Sequence, residues 1–331
     1  MISIAGRRLV ALVLIVGLAA CSGVGGSPSE SSSTAPSTSP TTSQGPSPSA
    51  TALPPGVLAV VIPTFQPSGL LYAEGSLWAE DHASTNTFYR LDPASGAVTG
   101  TVNVERPCDA AAGFDSIWLA DSDRGALLRI DPESLEIVAT IEGLSRPCGP
   151  QVAGDGVWVA VDEGIAKIDP ATNTTAFTVG EGGIFPSAGG PPLWGAEYGT
   201  GKLFQIDTLD GGIGATATLS GTPEIPSLLV ADDQLWASND ATDEVKRFDA
   251  DTGADSGTIS AAFPSRLALA GDVLWVTSYN SGSVYAIDTS TLEVIKTLAL
   301  GGTPNGIAIV PDGVWVADTT GQLFLLDLEV R

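Results

Sequence analysis

Leu77-Trp78-Ala79 is the stretch that decides the fold, because variants of it return along the whole chain. Tryptophan stands at Trp78, Trp118, Trp158, Trp194, Trp236, Trp275 and Trp315 and nowhere else, with gaps of 40, 40, 36, 42, 39 and 40 residues. A period near 40 marks a repeat architecture. Two other registers keep the same beat. An apolar residue followed by aspartate comes after each Trp (Asp92, Asp131, Asp169, Asp207, Asp249, Asp288, Asp327), and a proline precedes each one (Pro67, Pro107, Pro147, Pro186, Pro226, Pro264, Pro304).

Within a repeat the pattern is that of short strands and turns. Ile117-Trp118-Leu119-Ala120, Ala126–Ile130 and Ile137–Ile141 are apolar and β-branched, while Gly, Asp, Asn and Pro fill the breaks between them. Residues 56–331 divided among seven copies give about 39 residues each, the size of a four-stranded propeller blade. The expected fold is therefore all-β, a seven-bladed β-propeller. The last repeat stops after Leu323–Leu326 without a fourth strand, and residues 57–62 form a strand with no Trp before it. That segment is expected to complete the last blade and so remove an exposed edge. The Trp side chains are expected to pack between blades, and the recurrent Asp to form turns.

Ahead of the array lie two segments of different character. Residues 1–21 carry Arg7 and Arg8, then an apolar run from Leu9 to Ala20. That run is too short to span a bilayer, which takes about 20 residues, and suits an export signal. Leu18-Ala19-Ala20-Cys21 resembles the lipobox of bacterial lipoproteins. The resemblance implies cleavage before Cys21, lipidation of its thiol and anchorage on the extracytoplasmic face of a bacterial membrane. Residues 22–55 are almost wholly Ser, Thr, Pro, Gly and Ala, with no apolar face to offset ordering. They read as a disordered tether.

The repeats GxVWVAD and TPNGIA, carried best by Gly313–Asp318 and Thr303–Ala308, are similar to the YVTN-type and streptogramin-lyase-like seven-bladed propellers of bacteria. These are scaffold motifs, and one fold hosts many functions. The lyases of that group use histidine, glutamate and a magnesium ion. This chain has one histidine in all, His82, in a blade context that does not match. Gluconolactonase-like propellers set carboxylates and Asn about a metal, for which Glu80, Asn239 and Asp318 qualify by face alone. No nucleophile–base pair, phosphate loop or zinc-protease motif is present. The sequence thus leans away from an enzyme, with a metal-dependent lyase or lactonase as the catalytic alternative.

Beyond Cys21, the cysteines are Cys108 and Cys148, each in an Arg-Pro-Cys triplet at one blade position. The start of neighbouring inner strands suits a disulfide, and export supplies the oxidising compartment. A two-Cys metal site is the weaker reading, since no His lies at ligand spacing. In the usual strand order the D-to-A and B-to-C turns share one face. The residues following the repeat prolines (Ser68, Cys108, Cys148, Ser187, Ser227, Ser265, Asn305) are expected to ring the channel mouth there, flanked by Arg106, Arg146 and Arg266. Those arginines either bind a small carboxylate or phosphate or pair with the acidic B-to-C turns. The turns supply Asp81, His82, Asp121, Glu197, Tyr198, Tyr279 and Asn280 as binding candidates. No calcium-loop spacing appears among them, so no cofactor is expected, with calcium or magnesium a weak alternative.

The chain carries 14 Lys and Arg against 38 Asp and Glu, a net charge of −24. That excludes nucleic acid, whose phosphates need cations. The reading is a monomeric, membrane-anchored recognition scaffold for a protein, peptide or glycan. A small-anion sensor or solute-binding lipoprotein is the alternative.

Overall fold

A computed structural model describes residues 53–81, 86–223 and 226–329. The expected export signal, Cys21, most of the expected tether and His82 lie outside the described residues.

Seven antiparallel sheets follow one another along the chain and share a single plan. In blade 2 the strands run Pro107–Gly113, Ser116–Asp121, Ala126–Ile130 and Ile137–Glu142, paired in that order from the innermost outward. The remaining blades begin at Pro67, Cys148, Ile184, Leu228, Pro264 and Pro304. The ring closes as the missing fourth strand requires. Val57–Val61 pairs with Gln322–Leu326 at the outer edge of blade 7, with Val57 opposite Leu326 and Val61 opposite Leu323. The strand stops one residue before the expected Ile62, because Pro63 follows and prolines terminate pairing.

The tryptophans hold the ring together. Each sits in the second strand of its blade, at most 2 % exposed, and packs against the next blade. Trp78 lies among Ile117, Leu119 and Ile130 of blade 2, and Trp118 among Val157, Val159 and Ile168 of blade 3. The series ends with Trp315 among Leu77 and Leu91 of blade 1, so the last seam is built like the first. The indole of Trp315 also donates to the Pro93 carbonyl at 2.7 Å, and that of Trp194 to the Ala250 carbonyl at 2.9 Å, each in the following blade. A buried aromatic removes some 150–250 Å² from water, so the seven seams supply much of the apolar burial.

The repeat aspartates are turn formers. Asp131 Oδ1 accepts from the backbone N–H groups of Glu133 and Ser134 and from the Ser134 hydroxyl. Asp92 and Asp288 repeat the arrangement. These bonds favour the ionised form. Hydrogen bonds from Ser290 and Thr291 pull Asp288 down to about 2.

Blade 4 departs from the plan. Its inner strand is only Ile184–Pro186. The chain then leaves its own sheet, and Ala188–Gly189 pairs in parallel with Leu229 and Val230 of blade 5. The short 36-residue spacing between Trp158 and Trp194 falls in this region.

Candidate binding site at the channel mouth

The inner strands open with a bulge. Pairing in blade 2 slips between Pro107 and Ala110, and the same slip occurs in blades 1, 3, 6 and 7. The bulge moves the channel-facing register one residue along. The ring is formed not chiefly by the residues directly after the prolines but by those two positions on: Gly69, Asp109, Gly149, Ala188, Leu228, Arg266 and Gly306. Of the expected ring, Cys148, Ser227, Ser265 and Asn305 also line the cavity, whereas Ser68, Cys108 and Ser187 do not. The cavity holds about 600 Å³.

Five of the seven residues in that register are small or apolar, and the other two are Asp109 and Arg266. They belong to blades 2 and 6, with blades 1 and 7 between them, yet they touch. Arg266 Nη2 donates to Asp109 Oδ2 at 2.8 Å and Oδ1 at 3.0 Å, so the bond crosses the channel. The 42 % of the Arg266 side chain that stays accessible is reached from the cavity it lines. Asp109 takes φ +58° in the bulge, a left-handed backbone that Asp tolerates better than most residues.

A third titratable group joins them from behind the wall. Glu80 is 8 % exposed and occupies the second position after Trp78, where the other blades carry Ala120, Ala160, Ala196, Ser238, Thr277 and Ala317. The space it fills is left by Gly69, whose absent Cβ would lie 2.7 Å from the Glu80 carboxylate. Burial, and then the neighbouring Asp109 charge, push Glu80 up to about 8. Arg266 and the backbone N–H of Asp109 act in the opposite direction. Arg266 is held firmly protonated, by the Asp109 charge first and against the cost of burial. Near neutral pH the cluster therefore holds one anion, one cation and a largely protonated Glu80.

Cys108 and Cys148 are joined in a disulfide, with Cα atoms 4.9 Å apart, linking the inner strands of blades 2 and 3. Asp109 follows Cys108 directly, so the bridge anchors the backbone that presents the carboxylate.

The other expected site residues lie apart from the cavity. Arg106 reaches Asp123 at 3.4 Å, with both side chains 61 % exposed. Arg146 forms an exposed fork with Asp162, Nη2 to Oδ1 at 2.6 Å and Nε to both oxygens at 3.0 Å. Both arginines precede their proline while Arg266 follows its own, and the bulge separates the two settings. These two thus pair with the acidic turns. Asp121 and Asp81 are buried and act as staples. Asp121 accepts from the backbone N–H groups of Glu105 and Arg106 at 2.9 Å, and Asp81 from that of Gln66 at 3.1 Å. Glu197 meets Lys202 at 3.1 Å and Thr200 at 3.2 Å. Tyr198 and Asn280 are exposed and Tyr279 half-buried, and none of the three lines the cavity. Asn239 is buried, donating to the Ser220 carbonyl. Asp318 holds the Thr303 N–H at 3.1 Å.

A magnesium ion at the mouth is what the lyase resemblance implies. The donor set there does not fit one, because the guanidinium of Arg266 occupies the partner position on Asp109 that a divalent cation would need. Among the described residues no three His, Cys, Asp or Glu side chains gather in a group able to hold a metal.

Set against solved structures, the ring matches virginiamycin B lyase from Staphylococcus aureus with a TM-score of 0.68 and 18 % identity, over 82 % of this chain and 98 % of that one. The chain therefore has the seven-bladed propeller fold. A second streptogramin B lyase structure agrees at TM-score 0.69 and 17 % identity, covering 82 % and 99 %. The β-propeller domain of Cps50 (Swd1) from Myceliophteria thermophila matches at TM-score 0.70 with 10 % identity, over 82 % and 99 %. No protein-family model and no curated protein matches the sequence. At such identities the likeness concerns the fold, and the site must be argued from its own residues.

Asp109 was not legible from motifs, but the repeat did carry a signal for it. Aligning the seven copies on their prolines puts charge at two of seven positions in the second residue on, and Glu80 stands out the same way after Trp78.

Proposed function

We propose that this protein is a lipid-anchored recognition scaffold on the extracytoplasmic face of a bacterial membrane, with its ligand seated at the channel mouth over the Asp109–Arg266 pair. Cys21 carries the anchor, residues 22–55 form the tether and residues 56–331 the binding domain. The observation that supports the site is the meeting of three departures from the repeat, Glu80, Asp109 and Arg266, at one point on three different blades. A scaffold alone asks for small or apolar residues in the register of Asp109 and Arg266 and for small ones in that of Glu80, as the other blades show. Perturbed charge clusters in cavities of this size are where ligands bind.

The small-anion reading is weakened by pairing, since Arg106, Arg146 and Arg266 each meet a carboxylate. The lyase or lactonase reading draws on fold likeness alone. A thermal-shift screen of the purified protein against sugars, peptides, carboxylates, phosphates and divalent metals tests the site. Binding raises stability by RT ln(1 + [L]/Kd). A shift that disappears in Arg266→Gln supports the mouth, and one that persists there places the ligand elsewhere. A shift with a divalent metal alone favours the catalytic reading. Palmitate labelling that is lost in Cys21→Ser tests the anchor.

A further inference from the structure

We propose that the mouth takes a neutral, hydroxyl-rich ligand, a saccharide unit, and rejects carboxylates and phosphates. The inference rests on the reading of the cavity as a binding site and names the chemistry of its occupant.

Charge is the first argument. Among the described residues Arg266 is the only cation lining the cavity, and Asp109 already takes it through both carboxylate oxygens. Glu80 stands behind Gly69 as a second carboxyl facing the same guanidinium. The charged groups acting on Glu80 are Asp109 and Arg266, and near neutral pH the three together carry no net charge. An incoming anion gains little from a guanidinium so matched. It must also approach a chain of net charge −24, whose field repels it. A cation meets Arg266 inside the cavity. A neutral ligand meets neither obstacle.

Hydrogen-bonding capacity is the second argument. Only Nη2 of Arg266 is engaged with Asp109, which leaves Nε and Nη1 without a side-chain acceptor among the described residues. Gln151 lines the same cavity with an amide that meets no side chain among the described residues, and Asn305 offers Nδ2 while its Oδ1 accepts from the Ser265 hydroxyl at 3.2 Å. Planar groups with fixed donors and acceptors suit a belt of hydroxyls, each of which donates once and accepts twice. The third argument is an apolar platform. The ring of Phe185 lines the cavity, and Gly149 lies between it and Asp109. A Cβ at Gly149 would sit 3.4 Å from Phe185 Cδ1 and 3.9 Å from Asp109 Oδ2. The missing side chain leaves an aromatic surface beside a charged hydrogen-bonding pair, which matches a pyranose with its apolar C–H face and polar rim. The volume of about 600 Å³ accommodates one or two such rings.

The test is calorimetric titration of the full chain with neutral hexoses, N-acetylhexosamines and disaccharides, each compared with charged versions of the same ring (uronic acid, sugar phosphate, amino sugar). The expected result is saturable binding of a neutral saccharide, with its anionic counterpart at least about tenfold weaker. Asn305→Ala and Phe185→Ala should each weaken the sugar by about tenfold while leaving the unfolding midpoint near that of the wild type. In Glu80→Gln with Asp109→Asn the guanidinium is released, and the anionic counterpart should gain about tenfold. Equal or tighter binding of a charged counterpart by the wild type overturns the proposal, as does sugar affinity indifferent to both alanine variants. A non-saccharide ligand that needs Arg266 overturns this inference while leaving the mouth as the binding site. Silence of every saccharide, with no ligand of any class needing Arg266, overturns both.

Discussion

The seams between blades and the mouth of the channel are built on opposite principles. At the seams the chain repeats itself: Trp118 meets blade 3 as Trp315 meets blade 1, and every copy is buried to the same degree. At the mouth it stops repeating. Gly69, Gly149 and Gly306 occupy a register where Asp109 and Arg266 bring charge, and Glu80 fills a position that is small in every other blade. Repetition serves a ring that must close on itself, since any seam unlike the others would open it. A ligand is asymmetric and needs an asymmetric site. In a repeat protein the residues that break the pattern at one point in space are therefore the first place to look for function.

That contrast can be broken from either side. The largest effect belongs to the seam. Trp118→Ala should destabilise the protein by about 3–5 kcal/mol, the cost of emptying a large buried aromatic site, while leaving ligand affinity of the surviving folded fraction unchanged. Denaturant unfolding measures the first and calorimetry the second. An equal loss of affinity would mean that seam and mouth are one unit. Next comes the bridge between the two regions. Reducing Cys108–Cys148, whose loop spans 40 residues, should cost about 4 kcal/mol on the chain-entropy account. Because Asp109 adjoins Cys108, it should weaken ligand binding as well, and unfolding with and without reductant reads the difference.

The smallest effect is one of pH, and its sign separates the regions. Glu80 is raised in the folded state, so the fold binds more protons there than the unfolded chain does. Its contribution is fully present below the ordinary carboxylate range and is lost as pH climbs to about 8. Turn carboxylates such as Asp92, Asp131 and Asp288 are depressed. Their contribution holds above the ordinary range and is lost as pH falls toward about 2, the value for Asp288. Glu80→Gln should thus flatten the decline in stability between pH 5 and 8 (roughly the interval between the ordinary and the raised value) and leave the acid limb untouched. Melting curves across that interval check it. A slope preserved in Glu80→Gln would place the alkaline sensitivity elsewhere.

The seams were readable from sequence because they obey a local rule. Trp78 and its six successors announce the strand, the period and the closure, and the missing fourth strand after Leu326 calls for Val57–Val61. The Cys108–Cys148 bridge followed from equal positions in adjacent repeats. The mouth was only partly readable. The sequence alone groups Arg266 with Arg106 and Arg146, although the bulge puts it in a different register and sends the other two outward. Asp81 and Asp121 looked like ligands on an acidic rim, yet each holds the preceding loop by its backbone N–H groups. Composition cannot tell an acid facing solvent from one stapling a loop. The Asp109–Arg266 contact spans 157 residues and crosses an axis that no local pattern encodes.

The account stands on Glu80, Asp109 and Arg266 acting as one charge cluster across the channel, and a carboxyl ¹³C NMR titration of Glu80 tests this most directly. A midpoint near pH 8, moving higher in Arg266→Gln as the opposing cation is removed, is the predicted result. A midpoint in the ordinary carboxylate range, unmoved by Arg266→Gln, would contradict it and leave the mouth an ordinary solvated rim.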